Sequence, residues 1–172
     1  MKKRLKTCIP ALLAAAMLSA GCTTAFAEES GSHLNVAMFM WMEGLDPAEG
    51  WNGWTTMRCG IGETLLTADE NMDVVPCLAD SWEQVDDLTY KFHIRQGVKF
   101  SNGDDMTPEM VKASIERTAE KSDRVPEFFD LDNIEVDGQN LIFHLNRANA
   151  NMAGCLADPL FLIVDTNVDD ST

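Results

Sequence analysis

The chain has 172 residues, 45% of them hydrophobic, with 13 basic and 28 acidic residues and a formal net charge of −15. That length suits one ordinary domain or part of a larger one, with apolar content enough for a sizeable core. So acidic a body repels phosphate backbones and anionic lipid, which argues against nucleic acid as a partner. The excess is sharper without the first 27 residues, which hold four basic residues and no acid: 9 − 28 = −19. A solvated surface accounts for this acidity without any cationic ligand.

In chain order, "MKKRLK" and "IPALLAAAMLSAG" form a basic region and an apolar run. The run is shorter than the roughly 20 residues that span a bilayer, so residues 1–27 read as an export signal. Ala25–Ala27 suits cleavage before Glu28. "LSAGC" at Leu18–Cys22 has the look of a lipidation box, which would make Cys22 the lipidated first residue and end the signal at 21. Ser19 departs from the Leu usual in such boxes, and both readings stand. "LNVAMFM", Leu34–Met40, reads as a buried strand. "GLDPAEG", Gly44–Gly50, is turn material. From Asn52, a candidate N-cap, Trp54, Met57 or Arg58, Ile61 and Leu65 recur at helical spacing, against the cost of Gly60 and Gly62.

"VVPCLADSW" is a short extended piece. "LTYKFHIR" alternates strictly, with Leu88, Tyr90, Phe92 and Ile94 on one face and Thr89, Lys91, His93 and Arg95 on the other. With "SWEQV" before it, it forms a hairpin. Turns follow at Gly97 and "SNGDD". A helix then starts at Thr107, with Pro108 in its first position and Glu109 suiting the dipole. Val111, Ser114, Ile115 and Thr118 make its inner stripe. A second hairpin turns about Asp137-Gly138. "LADPLFLIVDT" turns at Asp158-Pro159 and enters an apolar strand, Leu160–Val164.

Motifs for chemistry are scarce. His33, His93 and His144 show no metal-binding spacing, and no CxxC pair, GxSxG, Walker loop or GxGxxG occurs. His93 reads as an outward strand residue, and Asp104 and Asp105 as turn residues before a helix cap. Cys59, Cys77 and Cys155 allow one disulfide and a leftover thiol, or three buried free cysteines. No cofactor, metal site or catalytic residue is expected.

The segment "LADSWEQVDDLTYKFHIRQGVKFSNGDDMTPEMVKASIER" closely resembles the signature region of the family 5 extracellular solute-binding proteins, the oligopeptide-, dipeptide- and nickel-binding components of ABC importers. Ala79, Ser81, Trp82, Thr89, Tyr90, Phe92, Ile94, Arg95, Gly97, Val98, Lys99, Phe100, Asn102, Gly103, Thr107, Glu109 and Val111 carry it. The direct run of Asp87 into Leu88, where relatives often place a Gly, is a departure in the hairpin turn. The resemblance covers Leu34 to the last residue. It implies an α/β, type II periplasmic-binding-protein-like fold with two lobes, of which this chain is the N-terminal third. Residues 28–66 would give the first strand and helix of lobe I, 67–159 a small extra domain, and 160–172 the strand returning to lobe I.

The resemblance is nearest to the nickel- and metallophore-binding branch. It implies an exported protein, in the periplasm or on the outer face of the cytoplasmic membrane, that captures a nickel chelate or a peptide and delivers it to a membrane permease without reaction. The expected ligand-binding residues are Trp41, Trp51, Trp54, Thr55 and Arg58 around "GWNGWTTMR", and Arg124 in "KSDRVPEFF". The tryptophans would wall a small ligand and the arginines hold a carboxylate. Read as residues alone, tryptophans near a strand–helix junction are core residues more often than not, and the arginines suit a surface as well as a site. Near "LADPLFL" a further cleft arginine of some nickel-binding relatives is missing. A secreted enzyme using distant residues and a surface scaffold or adhesion protein are the alternative functions.

Overall fold

The computed structural model describes residues 44–168. The element order is α1 (Asn52–Arg58), β1 (Leu66–Ala68), β2 (Val74–Pro76), β3 (Ala79–Gln84), β4 (Thr89–Ile94), α2 (Pro108–Lys121), β5 (Leu131–Asp137), β6 (Asn140–Leu145) and α3 (Met152–Cys155), with 3-10 turns at Val125–Glu127 and Pro159–Phe161. Strands β1 and β2 form a small antiparallel pair. The other four make one antiparallel sheet in the order β3-β4-β6-β5, so β3 and β5 are its edges. The expected strand Leu34–Met40, with Trp41 and Cys22, lies outside the described residues.

Alternation builds this sheet. Tyr90, Phe92 and Ile94 of β4 and Leu141, Phe143 and Leu145 of β6 are all buried on one face, while His93 points outward and is exposed. Phe92 pairs with Leu141 across the ladder and meets the Phe143 ring edge-on at 5.2 Å between centroids. Burying such a side chain contributes about 2–3 kcal/mol. Helix α2 lies against β5 and β6. Its buried residues are Pro108 and the expected stripe, Val111, Ser114, Ile115 and Thr118. Thr107 caps it by accepting the Met110 N–H at 3.4 Å. Leu88 differs from expectation: it precedes β4, in the hairpin turn, and is exposed.

Expectations for two other stretches need correction. Helix α1 does not run on to Leu65. It ends at Arg58, because Gly60 takes φ +68° and two bonds close the end: the Gly60 N–H donates to Met57 O at 2.9 Å and the Ile61 N–H to Thr56 O at 3.1 Å. This is a Schellman stop, which glycine reaches without a Cβ penalty. Nor does Asn52 cap the helix: Trp51 holds the cap position and no side chain bonds there. Second, Leu160–Val164 is no strand. Pro159 opens a 3-10 turn whose Leu160 N–H is held by the Asp158 carboxylate at 2.9 Å. The extended backbone beyond it is tied at single points, the Ile163 N–H to Glu63 O and the Val164 N–H to Ser114 Oγ, each at 2.9 Å. The three cysteines are free thiols, Cys155 buried and Cys59 exposed, so no disulfide joins them and they are not all core residues.

Candidate functional site

Helix α1 has an inward and an outward face. Gly53 permits the close approach inward, since a Cβ there would stand 2.2 Å from the Pro159 carbonyl oxygen. Asn52, Gly53, Thr55 and Thr56 are accordingly buried. Trp51, Trp54 and Arg58, at spacings of three and four, then share the other side. Trp51 is 61% exposed, so it is not a core residue. Trp54 is half-buried, with the Arg58 guanidinium carbon 5.4 Å from its ring centroid. Its indole Nε1 is buried without a hydrogen-bond partner among the described residues. A buried donor of that kind is unusual in a pure packing role.

Arg124 comes from far along the chain to the same place. It follows the end of α2, and its guanidinium carbon lies 3.8 Å from the Trp51 ring centroid and 5.7 Å from that of Phe128. Its Nη1 donates to Gly50 O at 3.0 Å. A guanidinium carries five donors, so one bond to a carbonyl fixes the group while its planar fork stays suited to a carboxylate. Each of the two expected arginines thus stands over one of the expected tryptophans. Thr55 is buried on the inward side, and Trp41 is not among the described residues.

The loop carrying Gly50 is itself clamped. The Asp46 carboxylate takes both Arg117 nitrogens, Nη1 at 3.1 Å on Oδ1 and Nη2 at 2.6 Å on Oδ2, and Lys121 Nζ at 2.5 Å. Lys121 also reaches Glu49 at 2.9 Å. Burial opposes ionisation of Asp46, but the bonds from Arg117, Lys121 and the Ala48 N–H outweigh it and hold its carboxyl far below the ordinary carboxylate range. The sequence reading took Asp46 and Glu49 for turn acids and missed this clamp. One signal was available: Arg117 and Lys121 are four apart on α2, a like-charge pair that favours acids supplied from elsewhere.

Other candidates are accounted for by their neighbours. On the outer face of the sheet, His93 Nδ1 is 3.0 Å from Asn140 Oδ1 and Lys91 pairs with Glu83 at 3.4 Å. Asp105 pairs with Lys99, and Asp104 bonds Asn102 at 2.9 Å, as turn residues do. Among the described residues no three His, Cys, Asp or Glu side chains gather to hold a metal ion, and no helix is long and apolar enough to cross a membrane.

An antiparallel sheet backed by one helix and joined to a short helix is here part of a periplasmic-binding-protein fold, mixed α/β in class. The chain belongs to the bacterial extracellular solute-binding proteins, family 5, whose middle-region profile matches residues 73–172. It is 28% identical over 165 residues to the nickel-binding protein NikA of Staphylococcus aureus, covering 96% of this chain and 32% of that one. The crystal structure of a nickel ABC transporter protein from Bacillus halodurans superposes with a TM-score of 0.71 at 33% identity, covering 76% of this chain and 28% of that one. NikA of S. aureus in complex with Ni(L-His)2 gives 0.61 at 30% identity, covering 64% and 24%. The chain therefore spans about a third of the length of the curated relative (32%). Its family is one of binding proteins rather than enzymes.

Proposed function

We propose that the chain supplies the first part of the solute-capturing component of an ABC importer, with a nickel chelate or metallophore as cargo. Residues 28–66 and 160–172 would belong to lobe I and 67–159 to the small extra domain. Residues 1–27 would serve export to the periplasm or outer membrane face, with Cys22 as the alternative lipid anchor. The observation that carries this reading is the Trp51–Arg124 stack at 3.8 Å on an exposed shelf. A guanidinium repels a bare metal cation and attracts the carboxylates of a chelate. Trp51 and Trp54 would wall the ligand, and Arg58 and Arg124 would grip carboxylates. Trp41 and Thr55 belong to the expected set, but Thr55 lies on the inward side of α1, away from the shelf. Capture would favour a closed form by contacts absent from the open one. The nickel-binding names of the relatives support the choice of cargo; a peptide is the second candidate, since its carboxylate suits the same arginine.

The test is a thermal-shift and calorimetric screen of the protein at the full length its gene encodes. Ni(II) with two equivalents of L-histidine is expected to raise Tm, by about 2.7 kcal/mol of stabilisation at a hundred times Kd. Ni(II) alone should do less. Arg124→Ala and Trp51→Ala should each raise Kd about tenfold or more. A shift with short peptides alone would reassign the cargo. Turnover of a substrate would favour a secreted enzyme, and no shift with any probe a surface scaffold.

A further inference from the structure

The shelf is built from two segments far apart in sequence, and both its contacts across them cross at one place. Trp51 and the Gly50 carbonyl belong to the loop before α1, and Arg124 follows α2. A second tie joins the same two segments nearby: Asp46 to Arg117 and Lys121, and Glu49 to Lys121. Between the two ties the loop is internally bonded. Asp46 Oδ1 accepts the Ala48 N–H at 3.0 Å, Asp46 O the Glu49 N–H at 3.2 Å, and Glu49 O the Asn52 N–H at 3.1 Å. Leu45 O accepts the Thr56 hydroxyl at 3.2 Å, which fastens the loop's start to α1 as well.

We propose that Asp46 is a positioning residue of the ligand site: its carboxylate fixes loop 44–50 on α2 and thereby sets the Trp51 ring and the Gly50 carbonyl where Arg124 stacks and bonds. This rests on the functional reading above and adds a residue that does not touch the ligand. Without the charge, Arg117 and Lys121 lose their shared acceptor, and the loop is left with its remaining ties: Glu49 to Lys121, Leu45 O to the Thr56 hydroxyl, and Gly50 O to Arg124. The guanidinium then has two jobs, holding the loop and holding the ligand, and its orientation is no longer fixed in advance. Affinity falls because ordering now accompanies binding.

The test uses Asp46→Asn, which keeps size and an acceptor for Ala48, and Lys121→Met, which removes one cation from a partly exposed site. In the full-length protein, Asp46→Asn is expected to raise Kd for Ni(II)–L-histidine about tenfold, and Lys121→Met less. In an Arg124→Ala background, Asp46→Asn is expected to add under about twofold, the non-additivity of residues acting through one another. Without ligand, Asp46→Asn is expected to change tryptophan emission and acrylamide quenching, and to leave both unchanged in a Trp51→Phe background. An unchanged Kd in a folded Asp46→Asn protein overturns the proposal. So does equal weakening in the Arg124→Ala background, the mark of general destabilisation. If the unaltered protein binds none of the probes, the functional reading fails and the ligand role with it. The emission comparison needs no ligand, and a null result there overturns the mechanical claim separately.

Discussion

The sheet with α2 and the segment around α1 are held together by different physics. In the sheet, period-two apolar residues meet across regular ladders, and Phe92, Phe143, Ile134 and Ile115 are fully buried. Around α1, a seven-residue helix is fastened by polar ties spanning 71 to 75 residues, from Asp46 to Arg117 and Lys121 and from Gly50 to Arg124. A ladder tolerates the loss of one contact poorly but gives no single residue control of geometry. A few long-range ionic ties give one carboxylate that control.

Three perturbations sharpen this contrast. The largest effect is expected from Phe92→Ala, which should cost about 3–5 kcal/mol in urea unfolding and destabilise the whole sheet cooperatively. A loss under about 1 kcal/mol would mean that the edge-on Phe92–Phe143 contact is not central. Next is Gly53→Ala. Its Cβ would collide with the Pro159 backbone, and overpacking of that kind costs about 1–3 kcal/mol. Here the damage should be local: hydrogen exchange is expected to quicken in α1 and at Pro159–Ile163, with β4 and β6 little changed.

The smallest effect, and the most specific, is pH dependence. Asp46 has a folded-state pKa depressed below its unfolded value. Its stabilising contribution is therefore fully present above the ordinary carboxylate pKa of about 4 and is lost as pH falls through the folded value. The groups facing it are Arg117 and Lys121 from α2 and Glu49 from its own loop. The stability difference between the unaltered protein and Asp46→Asn should be flat from pH 7 to about 5 and shrink below about 4. A difference that grows on acidification would contradict the clamp.

The same contrast explains what was legible in the sequence. Local rules sufficed where structure is local: Thr107 and Pro108 start α2, its stripe is buried, β4 alternates, and Gly138 turns the second hairpin with φ +58°. Helical spacing misled beyond Arg58, because Ile61 and Leu65 continue a pattern that the Gly60 stop interrupts. An apolar run misled at Leu160–Val164, where Pro159 and Asp158 impose a 3-10 turn and single bonds to Glu63 and Ser114 replace a ladder. The family resemblance singled out Trp51, Trp54, Arg58 and Arg124, but it did not pair them. The Asp46 clamp depends on two cations lying 71 and 75 residues away, a distance that no local pattern reports.

The two outer strands of the sheet carry a consequence for solubility. Among the described residues β3 and β5 each pair on one side only, and an open strand edge is a template for fibril growth. Both have an irregular register, at Ala79/Ser81 and at Leu131/Asn133, which bends the edge out of line. Both are also lined with carboxylates, Asp80 and Glu83 on one and Asp132, Glu135 and Asp137 on the other. Asp80 and Glu83 are paired with Arg95 and Lys91, so at β3 it is the kinked backbone, and at β5 the kink together with Asp132 and Asp137, that disfavours a second strand docking edge-on.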